Sequence, residues 1–191
     1  MAGSTVILKG SPRQGGNSDA LADLFRVEAE GWGAAVQEVK LIDLTYQGCI
    51  NLFHCKTGGD TCGQVDDLTP VLAAIAQAQV LVLASPVYFT SISGQLKLAM
   101  DRFFSFLVPD YVTNPDKSRL GHGRHLVFLQ TQGEPETRYR DLLASFQASF
   151  AGLGFDHHHL VRAVGVREPG DVAGQADYQQ DCAAVARRVY G

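Results

Sequence analysis

Hydrophobic positions in this chain follow two alternating rhythms. Val80–Ala84, VLVLA, is short and continuously apolar, the pattern of a central parallel strand covered on both faces. Thr5–Lys9 and Arg124–Gln130 read the same way, and Phe155–Ala163 supplies a last strand. Ala35–Leu41 alternates instead, with Val39 and Leu41 on one side and Glu38 and Lys40 on the other, as an edge strand with one wet face does.

Between these strands the period lengthens to that of a helix. After Ser18, residues Leu21, Leu24, Phe25 and Ala29 fall on one face. Asn17 or Ser18 suits the N-cap, Asp19 the positive end of the dipole, and Gly31 or Gly33 the stop. Asp66, Asp67, Thr69 and Pro70 open a second helix, and from Ser91 a third carries Ile92, Leu96, Met100 and Phe103 inward. A fourth is expected over Thr137–Ala151, burying Leu142, Leu143, Phe146 and Phe150, and a fifth over Val172–Tyr190. Two long stretches break the rhythm: Ile42–Gln64, and Leu107–Gly123, which has the make-up of a lid.

Five strands alternating with five helices imply an α/β fold with a parallel sheet and right-handed crossovers, in a single domain over residues 1–191. Two architectures fit that count: the strand order 2-1-3-4-5, and half of a dinucleotide-binding fold. The loops at the carboxyl ends of the strands must decide.

Composition narrows the partners. A net charge of −4, from 16 basic and 20 acidic residues spread through the chain, leaves no basic stripe, so no nucleic acid is expected. No apolar run approaches the roughly 18 residues that cross a bilayer, and the N-terminal stretch lacks the features of a signal peptide, so we expect no membrane association and a cytoplasmic location. Four cysteines are too few for a disulfide scaffold and point to intracellular thiols or metal ligation.

The first strand runs directly into GSPRQGGNS, where free N–H groups and a helix dipole make an anion site. Ser11, Asn17 and Ser18 add neutral donors, and Arg13 adds a charge that can meet a phosphate through two N–H groups. The Walker ending and the G-x-G-x-x-G spacing are both absent; a tight turn built simply from Gly, Ser and Pro is the plainer alternative. The central strand ends in SPVYFTS, which sets Tyr88 and Phe89 beside unused backbone groups, a place for a flat aromatic ligand.

GSPRQGGNS taken with SPVYFTSISGQLKLAMDR resembles the NAD(P)H-dependent FMN reductase family of flavodoxin-like proteins, including its iron-sulfur flavoprotein branch. The resemblance spans roughly residues 4 to 165. It implies a flavodoxin-like three-layer sandwich in the order 2-1-3-4-5. It implies FMN held by Ser11, Arg13, Asn17 and Ser18 at the phosphate, by Pro86, Val87, Tyr88 and Phe89 at the ring, and by Thr131, Gln132 and Gly133 after the fourth strand. NAD(P)H would pass hydride to the FMN, and a small electron acceptor such as a quinone, nitroaromatic, free flavin or metal ion would then take its place. No catalytic side chain is called for. A homodimer or homotetramer is expected, with Leu107–Gly123 able to cover a neighbour's ring. The alternative is a non-enzymatic electron carrier of the flavodoxin or iron-sulfur flavoprotein kind.

In the iron-sulfur branch a compact four-cysteine motif follows the second strand. Cys49, Cys55 and Cys62 match three of its positions, but Leu52 stands where the second ligand would be. A cluster would need His54, Cys182 or an exogenous ligand, so an iron-sulfur cluster is not expected and no metal ligand is assigned; three cysteines and a histidine would suffice for a structural zinc, although His54 directly before Cys55 makes joint ligation awkward. His157–His159 lie in a strand, where alternate residues face opposite sides, and are read as structural. Arg102 is read as structural or interfacial, and Lys97 with Asp101 as a solvated pair one helical turn apart.

Overall fold

The computed structural model describes residues 3–191. Five parallel strands form one sheet: β1 Ser4–Lys9, β2 Ala35–Lys40, β3 Val80–Pro86, β4 His125–Gln132 and β5 His157–Val164, in the order β2-β1-β3-β4-β5. Around it are packed α1 Asn17–Gly31, the single turn α2 His54–Thr57, α3 Leu68–Gln77, α4 Gly94–Asp101, α5 Ala144–Gly152 and α6 Ala176–Tyr190. This is the flavodoxin-like arrangement.

Period-2 geometry divides each central strand between two cores. Leu8, Leu81, Leu83, Leu126 and Phe128 pack with Leu72 and Ile75 of α3, Leu96 of α4 and Phe150 of α5. Ile7, Val82, Val127 and Leu129 face the other way, onto Leu21 and Phe25 of α1 and Val185 of α6. Phe25 is fully buried, a contribution of about 1.5–3 kcal/mol to folding. β2 lies at the border of the sheet, with Val39 buried and Glu38 exposed.

Local details depart from the sequence pattern where side chains compete for the backbone. α1 is capped by Gly16, and the side chains of neither Asn17 nor Ser18 cap it. α5 begins at Ala144, seven residues later than the apolar spacing predicts. Tyr139 has φ 56°, and the carbonyls of Arg138 and Tyr139 are taken by the side-chain amides of Gln132 and Gln130 and by Arg162. The left-handed backbone at Tyr139 interrupts the helix, and these side chains compete for carbonyls that its ladder would use, Tyr139 O accepting in addition a single-turn bond from Leu142 N–H at 3.4 Å. α6 starts at Ala176 instead of Val172, which is buried in the preceding loop. β4 continues to Gln132, so Thr131 and Gln132 end the strand and do not follow it.

The segment 107–123 is not a free lid within this chain. Val108 N–H donates to Lys117 O at 2.9 Å, Arg119 N–H to Phe106 O at 2.8 Å, and Ser118 Oγ to Leu153 O at 2.7 Å. The first two close the segment on itself and on Phe106, and the third fastens it to the C-terminal end of α5.

Candidate functional site

At the carboxyl end of the sheet, the exits of β1, β3, β4 and β5 surround an open cleft of about 210 Å³. Its wall on the β1 side is the loop from Gly10 to Gly16. Gly10 packs so closely that a Cβ there would lie 2.9 Å from Leu96 Cβ and 3.1 Å from Ala84 O. Ser93 caps α4, and its hydroxyl donates to Gly10 O at 2.6 Å, so the β1 and β3 exits are fixed to each other. Gly15, at φ +63°, turns the chain, and a Cβ on Gly16 would approach Ser11 Oγ to 3.2 Å. The helical ladder begins with Ala20 N–H donating to Gly16 O, which leaves the N–H groups of Asn17, Ser18 and Asp19 without an intrahelical acceptor.

The opposite wall is the turn after β3. Val87 N–H donates to Thr131 O, and Tyr88 and Ser91 exchange backbone hydrogen bonds around Phe89 and Thr90, both with positive φ. Tyr88 stays at the cleft; Phe89 stands at the tip of this two-residue turn, fully exposed and away from the lining. Ten of the eleven expected residues therefore share one cleft, and Phe89 does not.

Their side chains are not equally free. Ser18 Oγ and Thr131 Oγ1 are bonded to each other at 2.6 Å. Gln132 is buried: its amide N–H groups donate to the carbonyls of Glu134, Pro135 and Arg138, and its Oε1 accepts from Gln130 and Arg162. That amide is engaged in shaping its own loop. Asn17 Nδ2 donates to Glu168 O at 2.9 Å and Arg13 Nη1 to Arg167 O at 3.2 Å, which draws the β5–α6 loop onto the β1 loop. Val166 and Arg167 of that loop also line the cleft, and neither was expected from the sequence.

The cysteines occupy a second place, away from the cleft. Cys49, Cys55, Cys62 and Leu52 border one small pocket. The His54 ring lies under the backbone of Gly58, Gly59 and Gly63, where added Cβ atoms would come within 2.9, 2.6 and 3.0 Å of ring atoms. Cys182 is buried in the other core, between α6 and α1, with its thiol pushed up to about 12 by burial and the nearby Asp181 and Glu28. Three thiols, an apolar residue and a packed imidazole do not fit a four-thiolate cluster, and among the described residues no group of His, Cys, Asp or Glu is placed to hold a metal ion. Arg102 is entirely buried and holds this loop, donating to Cys62 Sγ, Gln47 O, Gln64 O and Asp66.

Sequence comparison agrees with this geometry. The profile of the family described as NADPH-dependent FMN reductase matches residues 4–147. This chain belongs to that family. An iron-sulfur flavoprotein of Methanocaldococcus jannaschii is 36% identical over 96 residues, 50% of this chain and 49% of that protein. The chain thus spans about half the length of the iron-sulfur flavoproteins it matches. The Bacillus subtilis protein YwqN, provisionally named an NAD(P)H-dependent FMN-containing oxidoreductase, is 28% identical over 171 residues, 87% of each chain. Among solved structures, an FMN-dependent NADH-azoreductase from Bacillus anthracis in complex with FMN superposes with a TM-score of 0.72, at 20% identity over 98% of this chain and 100% of that one. The strand order is that of the flavodoxin-like fold, as membership of the FMN reductase family leads one to expect. No helix among the described residues is long and apolar enough to cross a membrane.

Proposed function

We propose that this FMN reductase family member binds FMN in the cleft described above, accepts hydride from NADH or NADPH, and passes electrons to a small acceptor such as a quinone, nitroaromatic or free flavin. The observation that carries this reading is the convergence of ten residues from three strand exits on one cleft with an anion-binding loop at one end. The cradle suits the cofactor. Free N–H groups at the start of α1, with Ser11 and Arg13, would hold the phosphate, and Gly16 leaves the space that a side chain would fill. Pro86, Val87 and Tyr88 would border the ring, and the backbone of Thr131–Gly133 its polar edge.

Bound FMN supplies the two-electron chemistry; the chain supplies orientation, fixed donors and partial exclusion of water. Fixed donors matter because they are already aimed where charge grows and need no reorganisation. The β1 and β3 loops are tied by Ser93, and the β1 and β5 loops by Arg13 and Asn17, so the walls of the cleft are joined to one another by hydrogen bonds.

Ile50, Leu52, Phe53 and Val112 are exposed apolar residues that support assembly into a homodimer or homotetramer. The four cysteines are free thiols, which favours a cytoplasmic location. Titration of the purified protein with FMN, followed by steady-state NADH and NADPH oxidation with and without a quinone, tests the central reading. Saturable FMN binding with acceptor-stimulated turnover is expected. FMN binding with no turnover would return the electron-carrier reading, and absence of FMN binding would overturn both.

A further inference from the structure

Two guanidinium groups line the cleft, and only Arg13 belongs to the loop that would hold a phosphate. The second, Arg167, comes from the β5–α6 loop, beyond the region matched by the family profile. Its side chain lies along Gly133, where a Cβ would come within 3.0 Å of Arg167 Cγ and 3.2 Å of Nε. Arg167 Nε donates to Gly133 O at 3.1 Å. These contacts place its side chain at the exit of β4, two strands away from β1 in the sheet, while Arg13 Nη1 reaches the main-chain O of Arg167 at 3.2 Å.

The loop that carries Arg167 is firmly held. Asp171 Oδ2 accepts the N–H groups of Arg167 and Glu168 at 2.7 and 2.8 Å, and Val166 N–H donates to Gln132 O at 3.0 Å. Arg13 and Asn17 complete the attachment from the β1 side. Asp171 is thereby occupied by backbone, and the side-chain hydrogen bonds of both arginines go to carbonyl oxygens. Among the described residues no carboxylate forms an ion pair with either one. An exposed, unneutralised guanidinium on a fixed loop beside a ligand cleft has positive charge to offer.

We infer that Arg167 is the residue that stabilises negative charge on the ring system of the reduced cofactor, while Arg13 serves the phosphate. The inference rests on the FMN reading above. Uptake of one hydride, two electrons and one proton, oxidises NAD(P)H to NAD(P)⁺ and adds one negative charge to the flavin ring. A guanidinium near the polar edge of that ring favours the reduced form over the oxidised one, because only the reduced ring carries the added charge. The consequence is a raised reduction potential, with little change in the affinity for oxidised FMN.

Arg167→Met and Arg167→Lys test it, since residue 167 is exposed and either side chain can be accommodated. The readouts are the dissociation constant for oxidised FMN and the equilibrium potential of the bound flavin measured against a reference dye. In Arg167→Met the reduced form should bind about tenfold more weakly relative to the oxidised form, which for a two-electron couple is a potential lower by about 30 mV. Arg167→Lys should recover most of that difference. An unchanged potential in Arg167→Met, or a tenfold weaker affinity for oxidised FMN with no change in potential, would overturn the inference. Failure of the wild-type protein to bind FMN would instead overturn the functional reading on which it rests.

Discussion

Replacing Arg102 by Met should be among the most damaging single changes away from the cleft. The guanidinium donates to Asp66 at 2.7 and 3.4 Å, to Cys62 Sγ at 2.9 Å, to Gln47 O at 3.0 Å and to Gln64 O at 3.1 Å, and its side chain has no exposed surface. Burial works to raise the Asp66 carboxyl, but the hydrogen bonds and charge of Arg102 outweigh it and hold the group below the usual carboxylate range. Methionine fills a similar volume and leaves the carboxylate and both carbonyls without that donor. Breaking a buried ion pair from one side costs about 3–5 kcal/mol; because Asp66 keeps some access to water, we expect about 3 kcal/mol. For a chain of this length that corresponds to a fall in melting temperature of roughly 6–12 °C. Calorimetry of wild type, Arg102→Met, Asp66→Leu and the double variant closes the cycle, and the double variant should be at least about 1 kcal/mol more stable than the sum of the singles predicts. A melting temperature within about 2 °C of wild type, or strict additivity, would refute the network.

Three further outcomes are expected. Burial, with the neighbouring His125, Arg188, His157 and His158, pushes the His159 imidazole down to about 4, so the unfolded chain takes up a proton between about pH 6.5 and 4 that the folded one does not. Stability is fully present above that window and falls through it by on the order of 1–2 kcal/mol after allowance for solvent screening; urea denaturation at pH 7.5 and 4.5 should show a smaller pH difference in His159→Phe than in wild type. Arg13→Gln should weaken FMN binding by about tenfold and reduce its salt dependence, measured by fluorescence titration at two ionic strengths; an unchanged salt slope would move the phosphate elsewhere. Phe89→Ser should leave the unfolding free energy within about 0.5 kcal/mol of wild type, because the ring is fully exposed, and a larger loss would show that it packs on something.

Much of the fold is legible in the chain because two-sided burial leaves a plain mark. Leu81, Val82 and Leu83 face opposite cores in turn, so VLVLA has to be apolar throughout, whereas β2, at the border, alternates. The cleft was legible for a related reason: loops after parallel strands gather at one end of the sheet, so short motifs far apart in sequence meet there. What escaped was decided by contacts between distant residues. Gln130, Gln132 and Arg162 claim the carbonyls of Arg138 and Tyr139 and delay α5, and nothing in the spacing of Leu142, Leu143 and Phe146 records that competition. Arg167 carried a usable signal that went unread. It follows β5 and Gly165, so the rule that pointed to the first, third and fourth strand exits applied equally to the fifth.

The opposite burial of the cysteines gives this protein an internal gauge of its own opening. Cys49 meets solvent directly, whereas Cys182 is sealed between α1 and α6 behind the full thickness of the sheet from the other three. Alkylation kinetics should therefore separate into early labelling that samples local breathing of the thiol-bearing loop and a late event at Cys182 that waits on displacement of the terminal helix. The rate of that last modification, followed by mass, reports how often the α1/α6 layer comes apart without any probe having to be engineered in.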